Sequence, residues 1–202
     1  NEKVFDGNVS LIQKDKNTDL VHISYSTPKT QSRVYLYNLK SKEKKLVKEQ
    51  IIPSGHNPDD YIVERFNCDS HDGRKVPITI TRHKKTNIDG NANLLLYGYG
   101  SYGNSMSPSF SSTRLSLVNR DIIWVTAHIR GGLERGMKWW KEGKLLNKKN
   151  TFEDYIAAAK FLIEKKYTSK GKIIGMGGSA GGLLMGAVAN QSPELFLGII
   201  MA

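Results

Sequence analysis

The residues Gly177-Gly178-Ser179-Ala180-Gly181 set one hydroxyl among side chains that are absent or no larger than a methyl. This G-x-S-x-G spacing suits a sharp strand-to-helix turn, where larger neighbours would collide around a strained serine. The flanks supply both elements. Lys172-Ile173-Ile174 is a short apolar run in front, and Leu183-Leu184-Met185-Gly186-Ala187-Val188-Ala189 is helix material behind, closed by Ser192-Pro193. Such an elbow lifts Ser179 above a sheet and sets the N–H groups and positive dipole end of a helix beside it. The chemistry on offer is nucleophilic attack by Ser179 on an acyl carbon, with the Ala180 N–H as one donor to the oxyanion.

A hydroxyl nucleophile needs a base, and the base needs an orienting carboxylate. On a scaffold of this kind the carboxylate and the histidine follow the serine in the chain. After Ser179 only Glu194 is ionisable, and His22, His56, His71, His83 and His128 all precede it. His71, beside Asp72-Gly73, reads as a turn residue. His128 ends an apolar run before Ile129-Arg130-Gly131-Gly132 and is the nearest local base, in the wrong chain order. The expectation is that acid and base lie outside this chain, which alone is then inactive. A second glycine-rich run, Tyr97-Gly98-Tyr99-Gly100-Ser101-Tyr102-Gly103, follows Leu94-Leu95-Leu96. A hydrolase of this type builds the other half of its oxyanion hole there. Glycines let backbone approach a substrate closely, and tyrosines offer hydroxyls or an aromatic wall.

The elements that must hold these loops follow from patterning. Up to about residue 50 the chain reads as four short antiparallel strands, Val9–Gln13, Leu20–Ser26, Arg33–Leu39 and Glu43–Lys48, separated by turn residues such as Lys16-Asn17-Thr18-Asp19. That is the size of one propeller blade. Ile51–Asp60, with Pro53, Gly55, Asn57 and Pro58, reads as a linker. Strands are predicted near 61–67, 75–82, 94–97, 122–126, 172–176 and 198–201, with helices over Ser111–Asn119 and from a cap at Asn150 or Thr151 to about Lys166. In the second helix Phe152, Ile156, Ala159 and Ile163 form the apolar stripe, with Glu153 and Asp154 near the positive dipole end. Apolar strands alternating with helices describe a mostly parallel sheet covered on both faces. With the elbow this is an α/β-hydrolase fold. Its strand order puts 122–126 between 75–82 and 94–97, then 172–176, with 198–201 outermost.

The formal net charge of +11 is spread along the chain, with a cluster at Lys138, Lys141, Lys144, Lys148 and Lys149. Trp139, Trp140, Leu145 and Leu146 interleave as a buried side, so the cluster reads as a solvated face. No nucleic-acid motif accompanies it. No run reaches the ~20 apolar residues of a membrane span. Asn1-Glu2-Lys3-Val4 starts no signal peptide. Cys68 is the only cysteine, which excludes an internal disulfide and fits a reducing, cytoplasmic compartment. Neither cofactor nor metal is called for.

Four motifs, in this order, carry a resemblance: Tyr97-Gly98-Tyr99-Gly100; His128-Ile129-Arg130-Gly131-Gly132-Leu133-Glu134-Arg135-Gly136 with Trp139; Asn150-Thr151-Phe152-Glu153-Asp154; and Gly177-Gly178-Ser179-Ala180-Gly181-Gly182-Leu183. Together they resemble the prolyl oligopeptidase family of serine peptidases. Ser101 and the Ser-Ala-Gly-Gly form of the elbow look most like its oligopeptidase B branch. Gly178 departs from that branch, where arginine is usual. The resemblance implies that 1–55 is the end of a β-propeller, its last blade and a linker. It likewise implies that 56–202 is the N-terminal part of a peptidase domain. It implies Ser179 as nucleophile, the Tyr99 hydroxyl and Ala180 N–H as oxyanion donors, and Tyr102 near the pocket for the residue preceding the scissile bond (P1). The implied substrates are short peptides cut after Arg or Lys, with a C-terminal segment of the same protein supplying Asp, His and the acidic P1 determinants. Competing readings are prolyl specificity, a carboxylesterase, which would carry His-Gly-Gly-Gly where this chain has Tyr-Gly-Tyr-Gly, and a non-catalytic hydrolase-fold module.

Overall fold

Two sheets divide the chain in the computed structural model, which describes residues 8–12 and 17–202. The first is a meander in the order β1 (Asn8–Ile12), β2 (Leu20–Ser26), β3 (Arg33–Asn38), β4 (Lys44–Glu49), every neighbour antiparallel. Gln13 and Lys16, expected at the first strand's end and in the turn after it, lie outside the described residues. β4 is exposed along its whole length, as expected of a basic edge strand. Between the sheets lies one short 3-10 turn at Pro58–Asp60, whose Asp59 N–H donates to the Asn57 side chain.

The second sheet holds β5 (Tyr61–Asp69), β6 (Lys75–His83), β7 (Leu94–Tyr97), β8 (Ile123–Ala127), β9 (Ile173–Gly177) and β10 (Phe196–Met201). Their order is β10-β9-β7-β8-β6-β5, as the hydrolase pattern predicts. β5–β6 and β6–β8 pair antiparallel, and β8, β7, β9 and β10 run parallel. Leu94, Leu95 and Leu96 in β7 are all buried because helices cover both faces of a parallel sheet. Those helices are α1 (Ser112–Val118), α2 (Met137–Lys141), α3 (Lys149–Glu164) and α4 (Gly181–Gln191). Ser111 caps α1 by accepting from the Arg114 N–H. Tyr155 on α3 is fully buried and donates to the Leu96 carbonyl. Burial raises its pKa, so the phenol stays neutral.

Four local expectations need correction. α3 begins at Lys149, after Lys148 in helical conformation, with no side-chain cap from Asn150 or Thr151. The Thr151 hydroxyl instead donates to the Arg130 and Gly143 carbonyls, which turns it toward those segments rather than the helix start. Asp154 lies past the first turn and is fully buried, serving a partner on another segment. The apolar stripe runs through Phe152, Tyr155, Ile156, Ala159 and Leu162, with Ile163 only partly buried at its margin. Leu145 and Leu146, expected inside, are 83% and 100% exposed, because a 3-10 turn at Leu145–Asn147 carries them out of the α2 face.

Candidate active site

Ser179 sits between the end of β9 and the start of α4 at φ +51°, a left-handed conformation that costs a non-glycine residue about 1–3 kcal/mol. Two hydrogen bonds hold it there: its own N–H donates to the Ala202 carbonyl at 2.7 Å, and the Gly182 N–H to its carbonyl at 2.9 Å. Gly177 must be glycine, since a Cβ would lie 2.6 Å from the Gly181 carbonyl oxygen. Ser179 is exposed. The N–H groups of Ser179, Gly181 and Gly182 all have backbone acceptors, whereas among the described residues that of Ala180 has none and stands free at the head of α4.

The loop after β7 lies against this turn. Gly98 donates to the Met176 carbonyl at 3.0 Å, and a Cβ on it would strike the Tyr155 ring at 2.8 Å. The space beside Gly181 is filled by the Gly98 carbonyl and by Tyr99, whose Cδ2 would lie 3.5 Å from an added Cβ. Tyr99 therefore lies beside Gly181, the residue after the free Ala180 N–H. Tyr102 is 78% exposed at φ +55°. With Ala180, Leu183, Trp140, Leu145 and Lys148 it borders an open cleft of about 510 Å³. Two of the six described non-glycine residues at positive φ, Tyr102 and Leu145, line this cleft, and a third, Ser179, precedes its lining residue Ala180.

Behind the loop is a buried ionic network that sequence reading missed. Arg130 is 1% exposed. Its guanidinium reaches Asp154 at 2.6 and 2.9 Å and Asp72 at 2.6 and 3.1 Å, and its backbone N–H donates to Asp154 at 2.9 Å. Ser70 donates to Asp154 at 2.6 Å. Burial alone would lower the Arg130 pKa, but its hydrogen bonds to Asp154 and Asp72 outweigh that and raise it. The network joins the β5–β6 turn, the turn after β8, and α3. Both Arg130 and Asp154 stood inside quoted motifs, yet they lie far apart in sequence and nothing local pairs them.

Asp72 titrates with that network. Burial pushes its carboxyl up, but Arg130 and the Arg74 N–H hold it below the usual carboxylate range. A depressed folded pKa contributes stability that is complete above the unfolded value near pH 4 and lost as pH falls through the folded one. Asp72→Asn is expected to flatten that acid limb. Thermal midpoints measured from pH 6 to pH 2 would show it; a limb of unchanged slope would assign acid sensitivity elsewhere.

None of the five histidines hydrogen-bonds Ser179 among the described residues. His56 meets the Lys29 carbonyl at 2.7 Å, His71 meets Ser70 at 3.3 Å on the β5–β6 turn, and His83 accepts from the Lys85 N–H. His22 lies in β2. His128, the sequence's nearest local base, is buried with Nε2 at 2.8 Å from the Thr79 hydroxyl and Nδ1 at 3.7 Å from Glu134. It holds the inside of the sheet rather than the elbow. Cys68 is buried and donates to the Val76 carbonyl, and desolvation pushes its thiol up to about 12, which leaves it unreactive. No described helix is long and apolar enough to cross a membrane.

Residues 108–202 match the family model described as the prolyl oligopeptidase family. The chain is 43% identical over 183 residues to dipeptidyl aminopeptidase BI of Pseudoxanthomonas mexicana, covering 90% of this chain and 25% of that protein. It is 41% identical over 192 residues to protease 2 of Moraxella lacunata, covering 95% and 28%. Oligopeptidase B of Trypanosoma brucei, solved with covalently bound antipain, superposes with a TM-score of 0.91 at 35% identity over 98% of this chain and 29% of that one. The chain thus spans about a quarter of the length of the curated relatives it matches. With a propeller-type meander, a hydrolase sheet, a strained elbow serine and the family's sequence motifs in order, it belongs to the prolyl oligopeptidase family of serine peptidases.

Proposed function

We propose that the full-length protein hydrolyses short peptides after Arg or Lys through an acyl-enzyme on Ser179. The observation that carries this reading is the strained, exposed Ser179 beside a free Ala180 N–H, with the Gly98–Tyr99 backbone packed on Gly181. In this reading the Ala180 N–H and the Tyr99 hydroxyl receive the oxyanion, and the Tyr102 ring borders the P1 side chain. A cation at P1 needs carboxylates once it leaves water. The cleft wall contains Lys144 and Lys148 and no carboxylate, so the residues that select Arg or Lys come from a part of the protein outside this chain. The same part supplies the catalytic Asp and His. The 202-residue chain alone is then silent, since a serine without a base keeps its proton. Residues 1–55 act as propeller end and linker, and 56–202 as the peptidase part.

The test is steady-state kinetics of the full-length protein on matched Arg, Lys and Pro peptides. Ser179→Ala is expected to abolish turnover. Tyr99→Phe is expected to lower kcat by about 10- to 1000-fold with little change in KM, because the donor acts on the transition state. The isolated chain should resist an organophosphonate that labels the full-length protein. Preference for Pro over Arg would move the specificity to prolyl cleavage. Ester turnover without peptide turnover would favour an esterase, and absence of any turnover a non-catalytic module.

A further inference from the structure

Lys148 does not belong to a solvated face. It precedes α3, and its ammonium donates to the Gly100 carbonyl at 2.6 Å and the Ser101 hydroxyl at 2.9 Å. It makes no ion pair among the described residues, and burial lowers its pKa. A half-buried cation held by neutral acceptors alone is an unfavourable arrangement, since no carboxylate offsets its lost hydration. The other lysines of the cluster differ: Lys138 faces Glu142, and Lys144 lies 3.6 Å over the Trp140 ring.

The loop that Lys148 grips is the one carrying Tyr99. On its inner side the loop is fixed by packing and backbone. Gly100, at φ +65°, is wedged so that a Cβ would lie 2.4 Å from Thr151 and 2.9 Å from Ile129, and the Gly103 N–H donates to the Gly131 carbonyl at 2.9 Å. Ser101 and Tyr102 face the cleft, and among the described residues the side-chain hydrogen bonds made to the loop come from Lys148. We infer that Lys148 is a positioning residue that clamps the outer side of the Gly98–Gly103 loop and so holds Tyr99 in register with Ser179 and the Ala180 N–H. This rests on the proposed role of Tyr99. The ammonium bridges two successive residues of the loop, so losing it frees the peptide next to Tyr99 while leaving the elbow, α4 and the Arg130 network in place. Small displacements of an oxyanion donor reduce turnover without weakening ground-state binding.

The experiment uses the full-length protein with Lys148→Met, Lys148→Arg, Tyr99→Phe and the Lys148→Met/Tyr99→Phe pair. Lys148→Met is expected to lower kcat about 10- to 100-fold with KM within about threefold, since it misplaces one donor. Lys148→Arg should recover most of the loss. On the Tyr99→Phe background the Met change should cost less than about threefold, because both act through one hydroxyl. Additive losses, a change confined to KM, or an unaffected Lys148→Met enzyme would overturn the inference. Ser101→Ala, which removes one of the two acceptors, should give a smaller kcat loss and serves if the Met variant fails to fold; no loss from it would then count against the clamp. Hydrogen exchange separates the clamp from the activity. The Gly103 and Asn104 amides, bonded to Gly131 and Ser101, should exchange faster in Lys148→Met while β9 and α4 are unchanged. If the wild-type protein proves inactive, the peptidase reading fails, and equal exchange in the two proteins overturns the clamp on its own terms.

Discussion

Asp154→Ala is expected to lower the stability of the protein by about 3–5 kcal/mol, the range for stranding a buried charge by removing its partner. Arg130 and Asp154 are exposed by 1% and 0%, and Asp72, at the hairpin rim, cannot replace the contacts Asp154 makes to the guanidinium, the Arg130 N–H and Ser70. Urea unfolding of the two proteins measures the loss. Asp154→Ala combined with Arg130→Met should recover part of it, because the stranded charge goes with its partner. A single-variant loss below about 1 kcal/mol, the range of an exposed pair, would mean that water reaches Arg130 and the network is not sealed.

Gly131→Ala should be comparably severe and should also silence the site. Gly131 has φ +98°, which side chains rarely adopt, and a Cβ would stand 1.9 Å from the Gly100 carbonyl oxygen. Gly143 also packs against it: the Gly143 carbonyl oxygen would lie 3.2 Å from the added Cβ, and a Cβ on Gly143 would lie 2.1 Å from the Gly131 nitrogen. Neither neighbour is a flexible side-chain tip, so backbone must move. Backbone strain and overpacking together cost about 2–6 kcal/mol. The group displaced is the Gly100 peptide beside Tyr99, so kcat on a peptide substrate should fall further than the loss of folded protein explains. Measuring turnover per active-site titre separates the two effects. Normal turnover per labelled Ser179 would show that the loop tolerates displacement and that Tyr99 needs no such support.

What the sequence disclosed and what it hid divide along one physical line. Short apolar runs, turn residues and the small residues around Ser179 are local signals, and they located both sheets, the elbow and the glycine loop. The strand order was legible because the motifs match a known hydrolase arrangement, and β8 does lie between β6 and β7. The polar residues were misread wherever their partners are remote. Thr151 was assigned to a helix cap, Asp154 to a helix dipole and Lys148 to solvent, each a sound local role. In the fold Thr151 serves Arg130 and Gly143, Asp154 neutralises Arg130, and Lys148 holds Gly100. Leu145 and Leu146 failed because Gly143, just ahead of them, follows the end of α2, and the 3-10 turn at Leu145–Asn147 breaks their helical phase.

The strand order also sets a timetable for synthesis. β1 to β4 pair in simple succession, and β5 meets β6 across a tight turn as soon as both have left the ribosome. The strands bearing the site cannot do this. β7 is emitted before β8 yet lies beyond it, and its other neighbour, β9, arrives only with residues 173–177. Loop-closure entropy makes such distant pairings slow. The Ser179 N–H finds its acceptor only when Ala202 has been made. A growing chain therefore holds its meander and its hairpin before the Ser179 turn is held, because that turn waits for β9 and for residue 202.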